Sequence, residues 1–285
     1  MLRSAIIVVR CCRPYLWVPI FANSIAAGLS VGMATSVSVA VGTILSCLAS
    51  FGFLLNDILD RRIDKIDRKG RLEDAPAGTI AGAGATGAAL AGAGVVLAAL
   101  TGRYAVLALT LVVLIGLVMY NAALRRVPFV ATGLAACLCV SPLWFVMGAE
   151  WENVTAAHVL VLKMAVICAF AREVILDLKD LKGDRAFGRY TIPSLLGHRV
   201  ACVLAVELTL ACCGFGVASL LRSPVGPLAV LWIAVFVALV LWLFLRPTLA
   251  VLRSGGADAF RVYVAATRTG LLVVPTFLLL GTIVL

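Results

Sequence analysis

Positions 14–56 read PYLWVPIFANSIAAGLSVGMATSVSVAVGTILSCLASFGFLLN, an unbroken run of 43 residues without Asp, Glu, Lys or Arg. A helix that crosses a bilayer needs about 20 consecutive apolar residues. The run is therefore long enough for two membrane-spanning helices, and we expect the turn between them near residues 30–36.

Similar uncharged runs recur along the chain, at residues 75–102, 104–124, 127–149 and 223–245. Three further apolar segments, 155–178, 200–221 and 262–285, contain one or a few ionisable residues each. The whole chain is 63% hydrophobic and only 13% charged, whereas about a quarter of the residues in a soluble domain are charged. These patterns predict an all-α polytopic membrane protein, with about nine transmembrane helices in one bundle and a single domain over residues 1–285.

The basic residues indicate how the helices are oriented. Of 24 Lys and Arg residues, all but four fall in residues 1–14, 60–76, 124–127, 179–199 and 246–268. These segments alternate with the predicted spans, so the positive-inside rule predicts a cytoplasmic N-terminus and a C-terminus on the other side. The net charge of +10 is thus explained by loops that suit anionic lipid and phosphorylated substrates. A nucleic-acid partner has no support, and nothing in the sequence indicates an oligomeric state.

Two acidic segments with the same spacing lie at the predicted inner ends of spans two and six. Residues 56–64 read NDILDRRID, and residues 172–184 read REVILDLKDLKGD. Each contains three aspartates at positions i, i+3 and i+7, which share one face of a helix. The two triplets are Asp57, Asp60 and Asp64, and Asp177, Asp180 and Asp184.

Like charges one helical turn apart repel each other, and carboxylates near a bilayer are costly. One such triplet is readily explained as a solvated loop face neutralised by nearby Lys and Arg. Two triplets on the same predicted membrane face favour a shared cation site instead. Mg²⁺ suits it, because this ion takes one or two carboxylates and completes its shell with water and substrate phosphates. The sequence therefore predicts Mg²⁺ holding a diphosphate and assisting C–O cleavage as a Lewis acid.

The two segments resemble the paired motifs of the UbiA superfamily of intramembrane prenyltransferases, N-D-x-x-D-x-x-x-D and R-E followed by D-x-x-D-x-x-x-D. Smaller landmarks of the same family appear in order between residues 10 and 200: Arg13-Pro14, Tyr120-Asn121 before Leu124-Arg125-Arg126, and Thr191-Ile192-Pro193 with Gly197. The family usually has N-R-P-x-R-P after the first motif. Here Arg68 and Arg71 keep that spacing, but the prolines are missing.

The resemblance implies roles for particular residues. Asn56 and the six aspartates are expected to gather Mg²⁺ and, through it, the diphosphate, although Asp180 and Asp184 are also candidates for orienting basic residues or the acceptor. Tyr120 is a candidate for stabilising an allylic cation through its ring face. The expected phosphate or substrate contacts are Arg68, Arg71, Arg125, Arg172, Lys179 and Lys182.

The resemblance implies that a polyprenyl diphosphate donates its prenyl group to a small acceptor, most often an aromatic compound, at loops on the cytoplasmic side. Glycerol-phosphate lipids and other acceptors are used elsewhere in the superfamily. A terpene cyclase with the same metal site, in which a double bond of the substrate itself attacks, is the alternative reading. A divalent-cation transporter is a weaker one, because it would place its ionisable residues near the middle of the bilayer.

Overall fold

The structure is a computed structural model that describes residues 2–67, 72–221 and 227–284. Every regular element in these ranges is helical, which confirms the predicted all-α class. The α-helices of the described ranges are α1 Leu2–Cys11, α2 Trp17–Ser30, α3 Thr35–Leu59, α4 Arg61–Asp67, α5 Ala77–Leu100, α6 Tyr104–Ala122, α7 Val130–Cys139, α8 Ser141–Ala149, α9 Ala156–Ala186, α10 Ile192–Leu196, α11 His198–Leu221, α12 Pro227–Val240, α13 Arg246–Ser254 and α14 Ala257–Val284.

Many of these helices are long and apolar enough to cross a membrane. Within the described ranges there are seven such segments, and α7 with α8 makes an eighth if the bent pair is one span. Helix α9 has 31 residues and is not one of the seven; its apolar part contains Lys163, Arg172 and Glu173. Adding α9 would give the nine spans expected, but that number and the orientation of the N-terminus stay predictions. The chain is an integral membrane protein.

The uncharged run at 127–149 forms two helices rather than one. Helices α7 and α8 meet at an angle of 68°. Pro142 lies in the first turn of α8, where its missing N–H costs nothing, whereas the same residue inside a continuous helix would break a hydrogen bond. The turn expected near residues 30–36 is present between α2 and α3.

Helices α3 and α9 have many neighbours in the bundle; the first aspartate triplet begins near the end of α3, and the second lies on α9. Helix α3 packs against α2, α5, α6 and α8, and α9 packs against α7, α11 and α14. Helix α14 also contacts α2, where the Asn23 side-chain amide donates to the backbone carbonyl of Leu271 over 2.9 Å. Ile44, Leu48 and Phe145 are fully buried in the largest hydrophobic cluster, so the centre of the bundle is a packed core.

The α2–α3 contact depends on a glycine. A Cβ atom added at Gly28 would lie 1.9 Å from Ser38 Oγ and 2.8 Å from Ser38 Cβ. Rotating the serine hydroxyl away does not relieve the second clash, so we expect Gly28→Ala to cost about 1–3 kcal/mol through overpacking. A lower melting temperature of the purified protein in detergent would show this.

Gly82→Ala on α5 is the matched control, since among the described residues no atom beyond its chain neighbours and its own helix backbone lies within 4 Å of a Cβ added there. Alanine is the better helix former, and the control should melt at or above the wild-type temperature. If Gly28→Ala melted no lower than wild type, the packing argument would be wrong.

Candidate active site

A cavity of about 610 Å³ lies between α2, α3, α6, α7, α9 and α14. Its polar part is at the C-terminal ends of α3 and α9. Its apolar part runs back along α3 past Ala49 to Leu45, about 18 Å of helix away from Asp57. The predicted acidic and amide residues all line the polar part: Asn56, Asp57, Asp60, Asp64, Asp177, Asp180 and Asp184.

The i, i+3, i+7 spacing predicted that the first triplet lies on one continuous helix. In the structure the triplet is divided between two helices. Helix α3 ends at Leu59, Asp60 is its C-terminal cap with ψ of 0°, and Asp64 belongs to α4. The backbone hydrogen bonds nevertheless continue across the break, since Asp60 N donates to Asn56 O over 2.8 Å and Asp64 N to Asp60 O over 2.9 Å. All three carboxylates therefore still face the cavity.

The second triplet is on one helix, as predicted. Asp177, Asp180 and Asp184 lie in the last three turns of α9. The Asp177 carboxylate accepts a hydrogen bond from the Thr132 hydroxyl of α7 over 3.2 Å, and Asp184 is only 7% exposed. A hydroxyl group of another helix thus contacts this face of α9 where it lines the cavity.

The two triplets face each other across the cavity. Helix α4 packs against α9. Burial, followed by the negative charges of Asp60, Asp57 and Asp180, raises the pKa of Asp64 to about 6. Carboxylates of both segments thus line one cavity, where α4 lies against α9. Such crowding calls for positive charge between them.

Arginines supply part of that charge. Arg13 donates to Asp57 over 3.0 Å, and Asp60 accepts from both Arg125 and Arg189, the latter over 2.7 Å. Within residues 2–67, 72–221 and 227–284, no three Asp, Glu, His or Cys side chains already converge as a complete metal site. The aspartates share a cavity but are spread around its wall.

Arg13 and Arg189 also line the cavity, although neither was among the residues predicted to contact substrate. Arg13 has φ 51° and ψ 54°, a left-handed conformation that costs a non-glycine residue of order 1–3 kcal/mol. This conformation places the Arg13 guanidinium over the Phe53 ring, 4.3 Å from the ring centroid, where it donates a hydrogen bond to Asp57. Arg189 follows Gly188, whose φ of +63° turns the chain back after α9. The Arg13-Pro14 landmark was a signal for Arg13, whereas nothing in the spacing singled out Arg189.

Only some of the predicted basic and aromatic residues are found to line the cavity. Arg125, Arg172 and Lys179 line the cavity, as does Tyr120, whose ring lies 5.5 Å from the Arg125 guanidinium carbon. Lys182 is exposed and is not among the residues that line the cavity, so the cavity does not support its expected substrate contact. Its position explains this, because two residues after Asp180 a side chain points about 200° around the helix. The predicted contacts Arg68 and Arg71 lie outside the described residues.

The sequence is similar to that of known proteins over most of its length. A model of the UbiA prenyltransferase family matches residues 15–269. Digeranylgeranylglyceryl phosphate synthase from Halobacterium salinarum is 34% identical over 189 residues, which are 64% of this chain and 64% of that protein. The protein of the same name from Natronomonas pharaonis is 30% identical over 212 residues, which are 71% of this chain and 73% of that protein.

A solved structure has the same fold. The UbiA homologue from Archaeoglobus fulgidus bound to DMAPP and Mg²⁺ superimposes with a TM-score of 0.70 at 15% identity, covering 97% of this chain and 98% of that one. The family model extends over both aspartate triplets and most of the helices that surround the cavity. The chain therefore belongs to the UbiA prenyltransferase family.

Proposed function

We propose that the protein joins the prenyl group of a polyprenyl diphosphate to a hydroxyl group of a glyceryl phosphate acceptor at the membrane. The observation that carries this proposal is the shape of the cavity, in which six aspartates surround one end and apolar side chains line the other. A diphosphate head fits the first part together with cations, and an isoprenoid chain fits the second.

The donor set suits Mg²⁺. Carboxylate and amide oxygens are hard ligands, and Mg²⁺ uses few of them because it keeps waters and takes oxygens from substrate phosphates. A complete protein cage is therefore not required, which agrees with aspartates spread around the wall. Bound Mg²⁺ would supply Lewis-acid stabilisation of the departing diphosphate. The residues proposed to hold it are Asn56, Asp57, Asp60, Asp64, Asp177, Asp180 and Asp184.

Arginines at the polar end of the cavity have a role in the reaction that is separate from the role of Mg²⁺. Arg13, Arg125 and Arg189 already lie against Asp57 and Asp60, so they border the position proposed for the diphosphate. Fixed guanidinium groups stabilise negative charge as it develops on a leaving group. The apolar wall keeps water away from the allylic carbon, and the ring of Tyr120 is proposed to stabilise its positive charge.

A glyceryl phosphate acceptor replaces the aromatic one that the resemblance suggested. Both relatives described above are named for a product with two geranylgeranyl groups on glyceryl phosphate. Such an acceptor brings a phosphate of its own. Arg268 lines the cavity above the Tyr15 ring, 5.0 Å from its centroid, and has no carboxylate partner among the described residues. It is a candidate contact for that phosphate.

The side of the membrane on which the reaction occurs is also part of the proposal. The polar end of the cavity is built from segments that the positive-inside rule assigns to the cytoplasm. Labelling of single-cysteine variants in intact cells would test this assignment.

The direct test is an assay of the purified protein with labelled geranylgeranyl diphosphate and a choice of acceptors. With geranylgeranylglyceryl phosphate and Mg²⁺ we expect a prenyl ether and one equivalent of diphosphate, both identified by mass. EDTA should abolish turnover and added Mg²⁺ should restore it, because the crowded carboxylates and the diphosphate need the cation.

The same assay separates the other readings. Turnover with 4-hydroxybenzoate but not with the glyceryl phosphate would restore the aromatic acceptor. Cyclic hydrocarbon formed without any acceptor would indicate a cyclase. Mg²⁺ flux in liposomes that survives Asp57→Asn and Asp177→Asn would indicate transport. Turnover undiminished by EDTA would contradict the magnesium assignment.

A further inference from the structure

Glu173 stands in the cavity wall at the boundary between the polar and the apolar part. It precedes Asp177 by four residues of α9, which is one turn or about 6 Å along the helix axis. A prenyl chain whose diphosphate lies among the aspartates has its first carbon near this level. Glu173 is thus close to the place where a new bond to that carbon would form.

The two carboxylate oxygens of Glu173 have different surroundings. Oε1 accepts from Arg172 Nη1, and the Cys139 thiol lies 3.6 Å from the same atom. Oε2 has no hydrogen-bond partner among the described residues. It is also not among the polar atoms that are both fully buried and unpartnered, so part of its surface is accessible. Because the side chain lines the cavity and is 15% exposed, Oε2 is open to it.

Arg172 explains how the carboxylate is kept there. A single charge at this depth is costly unless an opposite charge accompanies it, and the Arg172 guanidinium provides that charge on the Oε1 side. The backbone carbonyl of Arg172 in turn lies 3.5 Å from the Tyr263 hydroxyl of α14. Contacts therefore hold the Arg172–Glu173 pair on the Oε1 side, and Oε2 of Glu173 remains available to a ligand.

We propose that Glu173 Oε2 is the general base that takes the proton of the acceptor hydroxyl. This inference rests on the proposed function, because a glyceryl hydroxyl must lose a proton to become an ether. The C–O bond to diphosphate breaks, and its electron pair leaves with the diphosphate. A lone pair of the acceptor oxygen forms the new C–O bond, and the O–H pair stays on the ether oxygen as the proton moves to Oε2. The proton then leaves to water at the polar end of the cavity.

The test compares Glu173→Gln with Glu207→Gln. Both substitutions remove a carboxylate within a predicted span, but Glu207 of α11 is exposed and lies outside the cavity wall. Since a positioned base contributes roughly 10²–10⁴-fold, we expect Glu173→Gln to slow ether formation by at least about 100-fold. The dissociation constant for geranylgeranyl diphosphate with Mg²⁺ should stay at the wild-type value in both variants.

Glu173→Ala provides a readout that a purely structural role would not give. Formate fits the space left by the side chain and can accept the proton, so added formate should raise ether formation by Glu173→Ala but not by Glu173→Gln. The rescue of Glu173→Ala by formate remains a test of the proposal even if Glu173→Gln is recovered in low yield. Ether formation by Glu173→Gln within about threefold of wild type, loss of diphosphate binding, or failure of formate to rescue would each overturn the inference.

The proposed function fails separately. If the wild-type protein formed no ether from any glyceryl phosphate acceptor, both proposals would fall. If wild type formed the ether and Glu173→Gln formed it equally well, only the role of Glu173 would be wrong.

Discussion

Asp57→Asn and Asp177→Asn are each expected to lower diphosphate release by about 1,000-fold, which corresponds to about 4 kcal/mol of transition-state stabilisation. The two residues come from different triplets but line the same cavity. Either change removes a charge that the proposed Mg²⁺ requires and leaves the size of the side chain almost unchanged. Asparagine is preferred to alanine because Asp57 is 4% exposed and paired with Arg13, so truncation would also leave a gap.

The measurement is diphosphate release per mole of purified protein at saturating geranylgeranyl diphosphate and Mg²⁺. Asp258→Asn is the control, since Asp258 is 94% exposed in an i, i+3 pair with Arg261 on the outside of α14. It should keep wild-type turnover, because exposed pairs contribute little. Full turnover by either cavity variant would rule out the paired-aspartate site.

Arg125→Gln is expected to lower kcat/KM for the prenyl diphosphate by about 100- to 1,000-fold, the range found when a preorganised donor to developing charge is removed. Arg125 reaches the cavity from the turn after α6, donates to Asp60 and covers one face of Tyr120. Losing it removes a cation from the proposed diphosphate site and leaves Asp60 with Arg189 as its remaining arginine partner among the described residues. Arg125→Lys should recover only part of the activity, because lysine lacks the planar fork that engages two oxygens together.

Arg103→Gln is the matched control for this change. Arg103 lies at the opposite end of α6 and also forms an ion pair, with Glu150, outside the cavity wall. Steady-state kinetics of the three variants give the comparison. Equal losses in Arg103→Gln and Arg125→Gln would mean that both pairs act through stability, and Arg125 would then have no part in phosphate binding.

Part of the site was visible in the sequence because it depends on local patterns. Aspartates at i, i+3 and i+7 share a helical face wherever the helix goes, and this held for Asp177, Asp180 and Asp184. The same rule was incomplete for the first triplet, where the helix breaks at Asp60. The family resemblance gave Lys179 and Lys182 as equal candidates, whereas in the structure Lys179 lines the cavity and Lys182 does not.

Other residues joined the site through contacts that sequence separation conceals. Arg189 reaches Asp60 across 129 positions, and Arg13 reaches Asp57 across 44. Both depend on turns with positive φ, at Gly188 and at Arg13 itself. The periodicity of a single sequence does not reveal such long-range partners. Turns of the chain bring these residues together, whereas periodicity reports only residues that lie close in the sequence.

The amino-acid order was sufficient for the membrane class, the all-helical architecture and the spacing of the acids, because the missing charges and the helical repeat act over about 20 neighbouring residues. The folded bundle was needed to bring the two triplets around one cavity, to bend 127–149 at Pro142, to pair arginines with aspartates and to leave one oxygen of Glu173 open. Those features arise where helices and turns that are distant in the chain surround one cavity. Packing between distant segments depends on which faces meet in three dimensions, and a linear pattern does not contain that information.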